Sequence, residues 1–311
     1  MERDTKRTSR PVLIVGGSGQ IGERLRRVFS AHGQAVVPTS YRSTQPGAVT
    51  MDATDRVQVM EVVTHVDPWL IVNSMNARGG TDACEADPGL AQGAHFESAR
   101  HLIDAARGVG ARFVQISTDY VFDGRAGPYR EDAIPAPLSQ LGRAKLQAEQ
   151  YALAQLPDAL VLRTSFVFSW APHAASKNFV MQLFEHDQTG SMIRVPIDQV
   201  GNVTYAPNFA QALVELVELG ARGVYHVAGT TRCSKAEWAL RVADYFHLHR
   251  ALIRGVSTQE LAQPGPRPLA SGFCLDKVQA VLKRTRLLSL DEGLAEMARE
   301  MELSPTPVGA R

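Results

Sequence analysis

The sequence predicts an α/β protein: a Rossmann-type, doubly wound parallel sheet with a smaller C-terminal substrate-binding lobe. Three observations lead there. Short, continuously apolar runs rich in β-branched residues alternate with amphipathic stretches through the first half, the pattern of a parallel sheet covered on both faces. A glycine-rich turn, Gly16-Gly-Ser-Gly-Gln-Ile-Gly22, directly follows the first such run. The 311 residues, 44% hydrophobic and 21% charged, are enough for one enlarged domain or two joined ones with a substantial core.

Taken in order, residues 11–15 (Pro-Val-Leu-Ile-Val) read as a buried strand, and after the turn Ile21, Leu25, Val28 and Phe29 follow helical spacing. Further strands are expected at 34–38, 69–73, 112–117, 160–164 and 223–227, with helices between them near 55–66, 90–109 and 139–154. Crossovers between parallel strands are almost always right-handed, which narrows the topology to a doubly wound sheet. Beyond about residue 165 the alternation is broken by Pro172, Pro196, Pro207 and the run Gln263-Pro-Gly-Pro-Arg-Pro268. Helices are expected there at 176–185, 207–219, 234–246 and 290–300, the last opened by Ser289 and Glu292 as a capping box. The expected organisation is a disordered arm over 1–10, a dinucleotide-binding domain over 11–165, a substrate lobe over 166–303 partly interleaved with the sheet, and a disordered tail over 304–311.

Charge excludes some functions. With 33 Lys+Arg against 32 Asp+Glu the formal charge is +1, so nothing argues for a nucleic-acid or membrane-surface partner. The short basic runs Arg3 to Arg10 and Lys283 to Arg286 read as solvated tails and helix ends. No apolar run approaches the ~20 residues that span a bilayer. Cys84, Cys233 and Cys274 are odd in number and far apart, which suits neither a disulfide framework nor a metal site and fits a reducing cytoplasm.

The turn carries the chemistry. Gly16, Gly19 and Gly22 stand between a strand and a helix opened by Gln20 and Ile21, where backbone N–H groups and the helix N-terminus receive a pyrophosphate. The acidic residue that usually holds the adenosine ribose is missing: the second strand runs into Thr39-Ser-Tyr-Arg42. Ser40 and Arg42 suit a 2′-phosphate, so NADP(H) is favoured over NAD(H), while an ordinary surface arginine stays open for Arg42. Asp52 reads either as an acceptor for the adenine amino group or as a plain loop aspartate.

These residues resemble a family. Ser117-Thr-Asp-Tyr-Val-Phe-Asp-Gly124, with Asp82-Ala-Cys-Glu85, Arg163-Thr-Ser165, Asp198-Gln199, Thr204-Tyr-Ala206, Tyr225-His-Val-Ala228 and Arg267-Pro268, is similar to the extended short-chain dehydrogenase/reductases, and within them to dTDP-4-dehydrorhamnose reductase and its relatives. The likeness spans nearly the whole chain. It implies hydride transfer between a nicotinamide and a nucleotide-sugar carbonyl, with Thr118 on the carbonyl oxygen and a Tyr/Lys pair four positions apart. Lys145 matches the lysine, but the tyrosine position holds Leu141, which cannot donate a proton. The turn after the third strand, Asn73-Ser-Met-Asn-Ala-Arg-Gly-Gly80, also departs from the family's alanine-rich form, and His95 stands where an asparagine is common. Substitute donors are Tyr120, Tyr129, His95 or an ordered water; Asn178, Arg194, Gln199 and Arg267 lie in segments that would meet the substrate. Three readings stay open: a reductase with another donor, different redox chemistry on the same scaffold, or a non-catalytic regulatory or scaffolding subunit, as the family's methionine adenosyltransferase β-subunit is. A homodimer or a regulatory protein partner is likewise open.

Overall fold

The computed structural model describes residues 10–41, 47–171 and 178–303. Seven strands form one sheet. β1 (Val12–Val15), β2 (Val36–Ser40), β3 (Val49–Thr50), β4 (Leu70–Asn73), β5 (Arg112–Thr118) and β6 (Leu160–Thr164) lie in the order 3-2-1-4-5-6, and Gly223–His226 completes the edge beside β6. All neighbours are parallel; Val12, for example, faces Val36 on one side and Leu70 on the other. The order reverses between β1 and β4, so the C-terminal ends of these two strands open the crevice where such sheets bind ligands.

The strands are mainly apolar because both faces are covered, and among the buried polar residues on them Asn73 pairs with Gln115 and Arg163 with Glu149. Successive side chains point to opposite faces, and β1 feeds two cores in turn: Val12 and Ile14 join Leu25, Phe29, Phe209 and Leu213, whereas Leu13 and Val15 join Val59, Val63, Leu102 and Phe113. Polar residues start several of the helices. Asp55 caps Arg56–Val66, Ser139 caps Gln140–Gln155, Ser234 caps Lys235–Phe246, and the capping box expected at Ser289 and Glu292 is present on Leu290–Glu302.

Several expectations shift. β2 begins and ends two residues later than expected and contains Pro38; β3 pairs only with Thr39 and Ser40, so no ladder bond needs the N–H that Pro38 lacks. The helix expected over 90–109 is broken: Pro88–Ala91 is followed by a π-helical turn, Gln92–Glu97, and only then by Ser98–Val109. A further helix, Gly80–Ala86, falls where the sequence reading placed none. The helix expected from 176 is described from Phe179 to Thr189, capped by Asn178, and its expected start lies outside the described residues. The residues assigned to disordered ends also lie outside them, except Arg10. That guanidinium is anchored to Asp67 Oδ1 at 2.5 Å and to the carbonyls of Pro68 and Val109. The basic run 283–286 follows helix Asp276–Val281 with Lys283, Arg284 and Arg286 exposed, as expected of a solvated helix end, while the N–H groups of Lys283, Arg284 and Thr285 all donate to the Glu215 carboxylate. Burial alone would raise the pKa of Glu215, but these donors bring it down to about 2.

The remaining segments form a smaller lobe around Trp238, Phe168 and Val180. Its strands pair two by two: Val167–Phe168 with Thr204–Tyr205, Val200–Asn202 with Arg232–Ser234, and Ile193–Pro196 with Ile253–Val256. Two stretches from this half return to the main body. Helix Ala206–Glu218 packs on helix Gln20–Ala31, and Gly223–His226 enters the sheet.

Candidate active site

The crest over β1 is shaped by missing side chains. Gly16 has φ +77°, and a Cβ there would lie 3.2 Å from the backbone of Ser74 and Met75. A Cβ on Gly22 would come 2.2 Å from Gly16 O, and one on Gly17 2.4 Å from Pro38 Cβ. Helix Gln20–Ala31 starts at Gly19 with no side-chain cap, and its first backbone bond is Glu23 N–H to Gly19 O at 2.9 Å. The N–H groups of Gln20, Ile21 and Gly22 are thus left for an outside acceptor. The buried Nε2 of Gln20 also lacks a partner. Ser40 is buried at the end of β2; Arg42 lies outside the described residues. Asp52 Oδ1 accepts from Thr54 N at 2.9 Å and Thr54 Oγ1 at 2.7 Å, building the turn before the next helix.

Beside the crest, β5 delivers Thr118. Its hydroxyl donates to Asp119 Oδ1 at 3.2 Å and accepts from Tyr120 N at 3.3 Å. Helix Gln140–Gln155 presents Leu141 and, one turn on, Lys145 to the same side. Lys145 Nζ donates to Met75 O at 3.1 Å and Ile116 O at 3.3 Å, beyond the end of β4 and near the end of β5. Burial lowers its pKa to about 8, with Glu149 and Cys84 pulling the other way. Leu141 is 6% exposed, in a small apolar cluster with Ala77, Cys84 and Ala144 against which Tyr120 packs. No proton donor projects from that position.

The candidate donors differ in setting. His95 sits in the π-helical turn, 1% exposed, with both ring nitrogens unpartnered. Burial, then the charge of Lys145, holds its pKa well below the ordinary value, so the ring is neutral at neutral pH. Burial and the nearby Asp119 raise Tyr120 to about 12, although Thr81 and Arg267 interact with its hydroxyl. The Tyr129 hydroxyl is committed elsewhere: it donates to Asp123 Oδ1 at 2.6 Å and accepts from the N–H groups of Arg125 and Ala126.

Of the four lobe residues expected at the substrate, Arg267 reaches this floor. It donates to Asp82 Oδ1 at 2.5 Å and interacts with Tyr120. The other three are held by bonds within their own lobe. Asn178 caps its helix and donates to Ser169 O, Arg194 is exposed and bonds Glu260 O, and Gln199 donates to Thr258 Oγ1 and Gln263 Oε1.

Sequence reasoning missed two charged neighbours. Asp119 is 2% exposed and its Oδ2 has no hydrogen bond; burial raises its pKa to about 6, against the pull of Ser271, Thr118 and Lys235. Lys235, first in its helix, lies 5.3 Å from the centre of the Phe166 ring, and burial, then Arg267, lowers its pKa to about 8. Asp119 lies inside the Ser117–Gly124 motif; Lys235 carries only the signal of following the cap Ser234. A groove of about 1350 Å³ starts at the crest residues Gly19 and Gln20 and runs towards Arg284–Leu288. Its arginines Arg24, Arg27, Arg284, Arg286 and Arg299 are all ion-paired with glutamates, and none of the catalytic candidates lines it.

The model of the RmlD substrate binding domain family matches residues 10–303. The chain belongs to this family. Among similar proteins, dTDP-4-dehydrorhamnose reductase of Streptomyces griseus is 32% identical over 266 residues, 82% of this chain and 83% of the relative. Methionine adenosyltransferase 2 subunit beta of Xenopus laevis is 29% identical over 274 residues, 86% of this chain and 81% of the relative. The crystal structure of dTDP-4-dehydrorhamnose reductase from Bacillus anthracis in complex with NADP superposes with a TM-score of 0.84 at 28% identity, covering 94% of this chain and 99% of that one. The family match thus takes in both the sheet and the smaller lobe.

Proposed function

We propose that the chain is a nicotinamide-dinucleotide-dependent reductase acting on a carbonyl of a nucleotide-linked sugar, with NADP(H) preferred over NAD(H) and with acid catalysis that does not use the residue at position 141. The carrying observation is the bare crest joined to the Thr118–Lys145 pair. A Cβ at Gly22 would fill the space that the crest keeps clear, and three helical N–H groups and a buried amide at Gln20 await an acceptor. A pyrophosphate fits that donor set.

Gly16, Gly19, Gln20, Ile21 and Gly22 hold the pyrophosphate in this reading, Ser40 and Arg42 the 2′-phosphate, Asp52 the adenine edge and Lys145 the nicotinamide ribose. When bound, the cofactor supplies a hydride. Thr118 binds the carbonyl oxygen and stabilises the charge that collects there. Arg267 engages Asp82 and the Gly265 carbonyl through Nη1, and its guanidinium suits a diphosphate, with Asn178, Arg194 and Gln199 shaping the lobe around it. The NADP held by the Bacillus anthracis enzyme and the name of the Streptomyces griseus relative support this reading.

The test is a fluorescence titration with NADPH and NADH, followed by incubation with NADPH and a panel of nucleotide-4-ketosugars. Tighter binding of NADPH and its oxidation by one ketosugar are expected. A second reading, a dinucleotide-binding regulatory or scaffolding subunit, rests on buried Leu141 and on the likeness to methionine adenosyltransferase 2 subunit beta. Tight NADPH binding with no oxidation by any ketosugar decides for it.

A further inference from the structure

We propose that Asp119, acting through the Thr118 hydroxyl and supported by Lys235, is the proton source that takes the place of the side chain missing at Leu141. The inference rests on the reductase reading above. Its geometry is direct: Asp119 opens the 3-10 turn Asp119–Val121, and its Oδ1 is 3.2 Å from Thr118 Oγ1. Its other oxygen is buried without a hydrogen bond. A carboxylate with an unsatisfied buried oxygen is disfavoured relative to the neutral acid. With the proton on Oδ1 the Thr118–Asp119 hydrogen bond turns round, so the acid donates to Thr118 Oγ1 and the threonine hydroxyl is free to donate to the carbonyl oxygen.

The groups facing Asp119 come from three elements. Lys235 approaches from the first turn of helix Lys235–Phe246, Ser271 from the segment after Arg267, and Tyr120 from the same turn as Asp119. Lys235 in turn faces Arg267 and Asp82. Asp82 is ion-paired with Arg267, whereas Lys235 has a ring contact and, among the described residues, no ion pair. Its ammonium is therefore available to stabilise a carboxylate formed at Asp119.

The step balances. A hydride from reduced nicotinamide brings two electrons to the carbonyl carbon; a C–H bond forms and the C=O π pair moves to oxygen. The Thr118 O–H bond breaks and its proton goes to that oxygen, while the Asp119 O–H bond breaks and restores the Thr118 hydroxyl. Asp119 is left as a carboxylate facing Lys235 and regains a proton from solvent. Burial holds its carboxyl up to about 6, close to the working range where a general acid is most effective.

The experiment compares wild type, Asp119→Asn, Lys235→Met and the same Asp119→Asn change in a Leu141→Tyr background. Ketone reduction by wild type should fall as pH rises past about 6, and Lys235→Met should move that limb to higher pH by removing the cation that favours the carboxylate. Asp119→Asn should cut kcat by about 100-fold in wild type, and by less than about 10-fold once the tyrosine introduced by Leu141→Tyr supplies the proton. A readout without cofactor uses denaturant midpoints of wild type and Asp119→Asn. A raised pKa gives stability that is present below 3.8 and lost as pH rises through about 6. The Asp119→Asn protein should therefore gain on wild type across that window and stay level above it. A pH-independent gap, an unmoved limb in Lys235→Met, or full activity in Asp119→Asn overturns the proposal and leaves the reductase reading standing. Turnover by Leu141→Tyr with none by wild type overturns the proposal together with the reductase reading of the native chain. If neither protein reduces any ketone, the reductase reading falls and the proposal with it.

Discussion

The crest over β1 and the floor beside Thr118 share one edge of one sheet, yet they are built by opposite means. The crest works by what is absent: no Cβ at Gly16, Gly17, Gly19 or Gly22, and no side-chain cap on the helix that follows. The floor works by which side chains are present, and here Leu141, His95, Lys145, Asp119 and Lys235 are all buried or half-buried. A backbone cradle tolerates almost any exposed neighbour, so it survives changes around it. A reaction floor is redefined by one substitution. Under the proposed function, dinucleotide binding and catalysis can therefore part company within a single cleft.

The strongest way to break the contrast is to restore the donor. In an Asp119→Asn background, Leu141→Tyr should raise ketone reduction by about 100-fold, as read by NADPH oxidation, because the tyrosine supplies the general acid that Asp119→Asn removes; an unchanged rate means the floor differs by more than one residue. Next, Gly22→Val attacks the crest. Its Cβ would meet Gly16 O at 2.2 Å, and overpacking of this kind costs about 1–3 kcal/mol or more. NADPH affinity should drop by about two orders of magnitude, with a lower melting temperature, while Leu141→Tyr should leave affinity alone. Smaller still, Arg42→Ala should weaken NADPH by about 10-fold, as expected for one charge-assisted hydrogen bond, without affecting NADH; equal losses for both cofactors would remove the 2′-phosphate contact. Least of all, His95→Asn should alter turnover by under about 3-fold and leave the pH profile in place, because a ring already neutral has no proton to lose on raising the pH. A lost or shifted limb in that variant would return His95 to the list of donors.

The same contrast explains what could be read in advance. Strand β6 occupies the residues expected of it, because the β-branched and apolar run Leu160–Leu162 marks it out. The caps at Asp55, Ser139, Ser234 and Ser289 follow from polar side chains placed before apolar periodicity, and the crest follows from glycine spacing. These are local signals. The rest depends on partners distant in sequence. The strand pairs of the smaller lobe are two to four residues long, too short for a period to show. The π turn that carries His95 inserts a residue that helical spacing does not betray. The charge of Lys235 acts on Asp119 from more than a hundred residues away in sequence, and Glu215 gathers the N–H groups of 283–285 from nearly seventy residues away. That Leu141 offers no proton was legible, but of its apolar surroundings Cys84 is supplied by helix Gly80–Ala86, which the sequence did not reveal.

Leu160–Thr164 receives its outer neighbour from Gly223–His226, so β6 is synthesised well before the strand that seals it. At ~5–20 residues per second, ribosomes leave that apolar ribbon with an unpaired border for several seconds. During this interval it can pair with another nascent chain or be sheltered by a chaperone. Slow translation between these two strands would lengthen the hazard, and a polypeptide cut after residue 165 would never escape it.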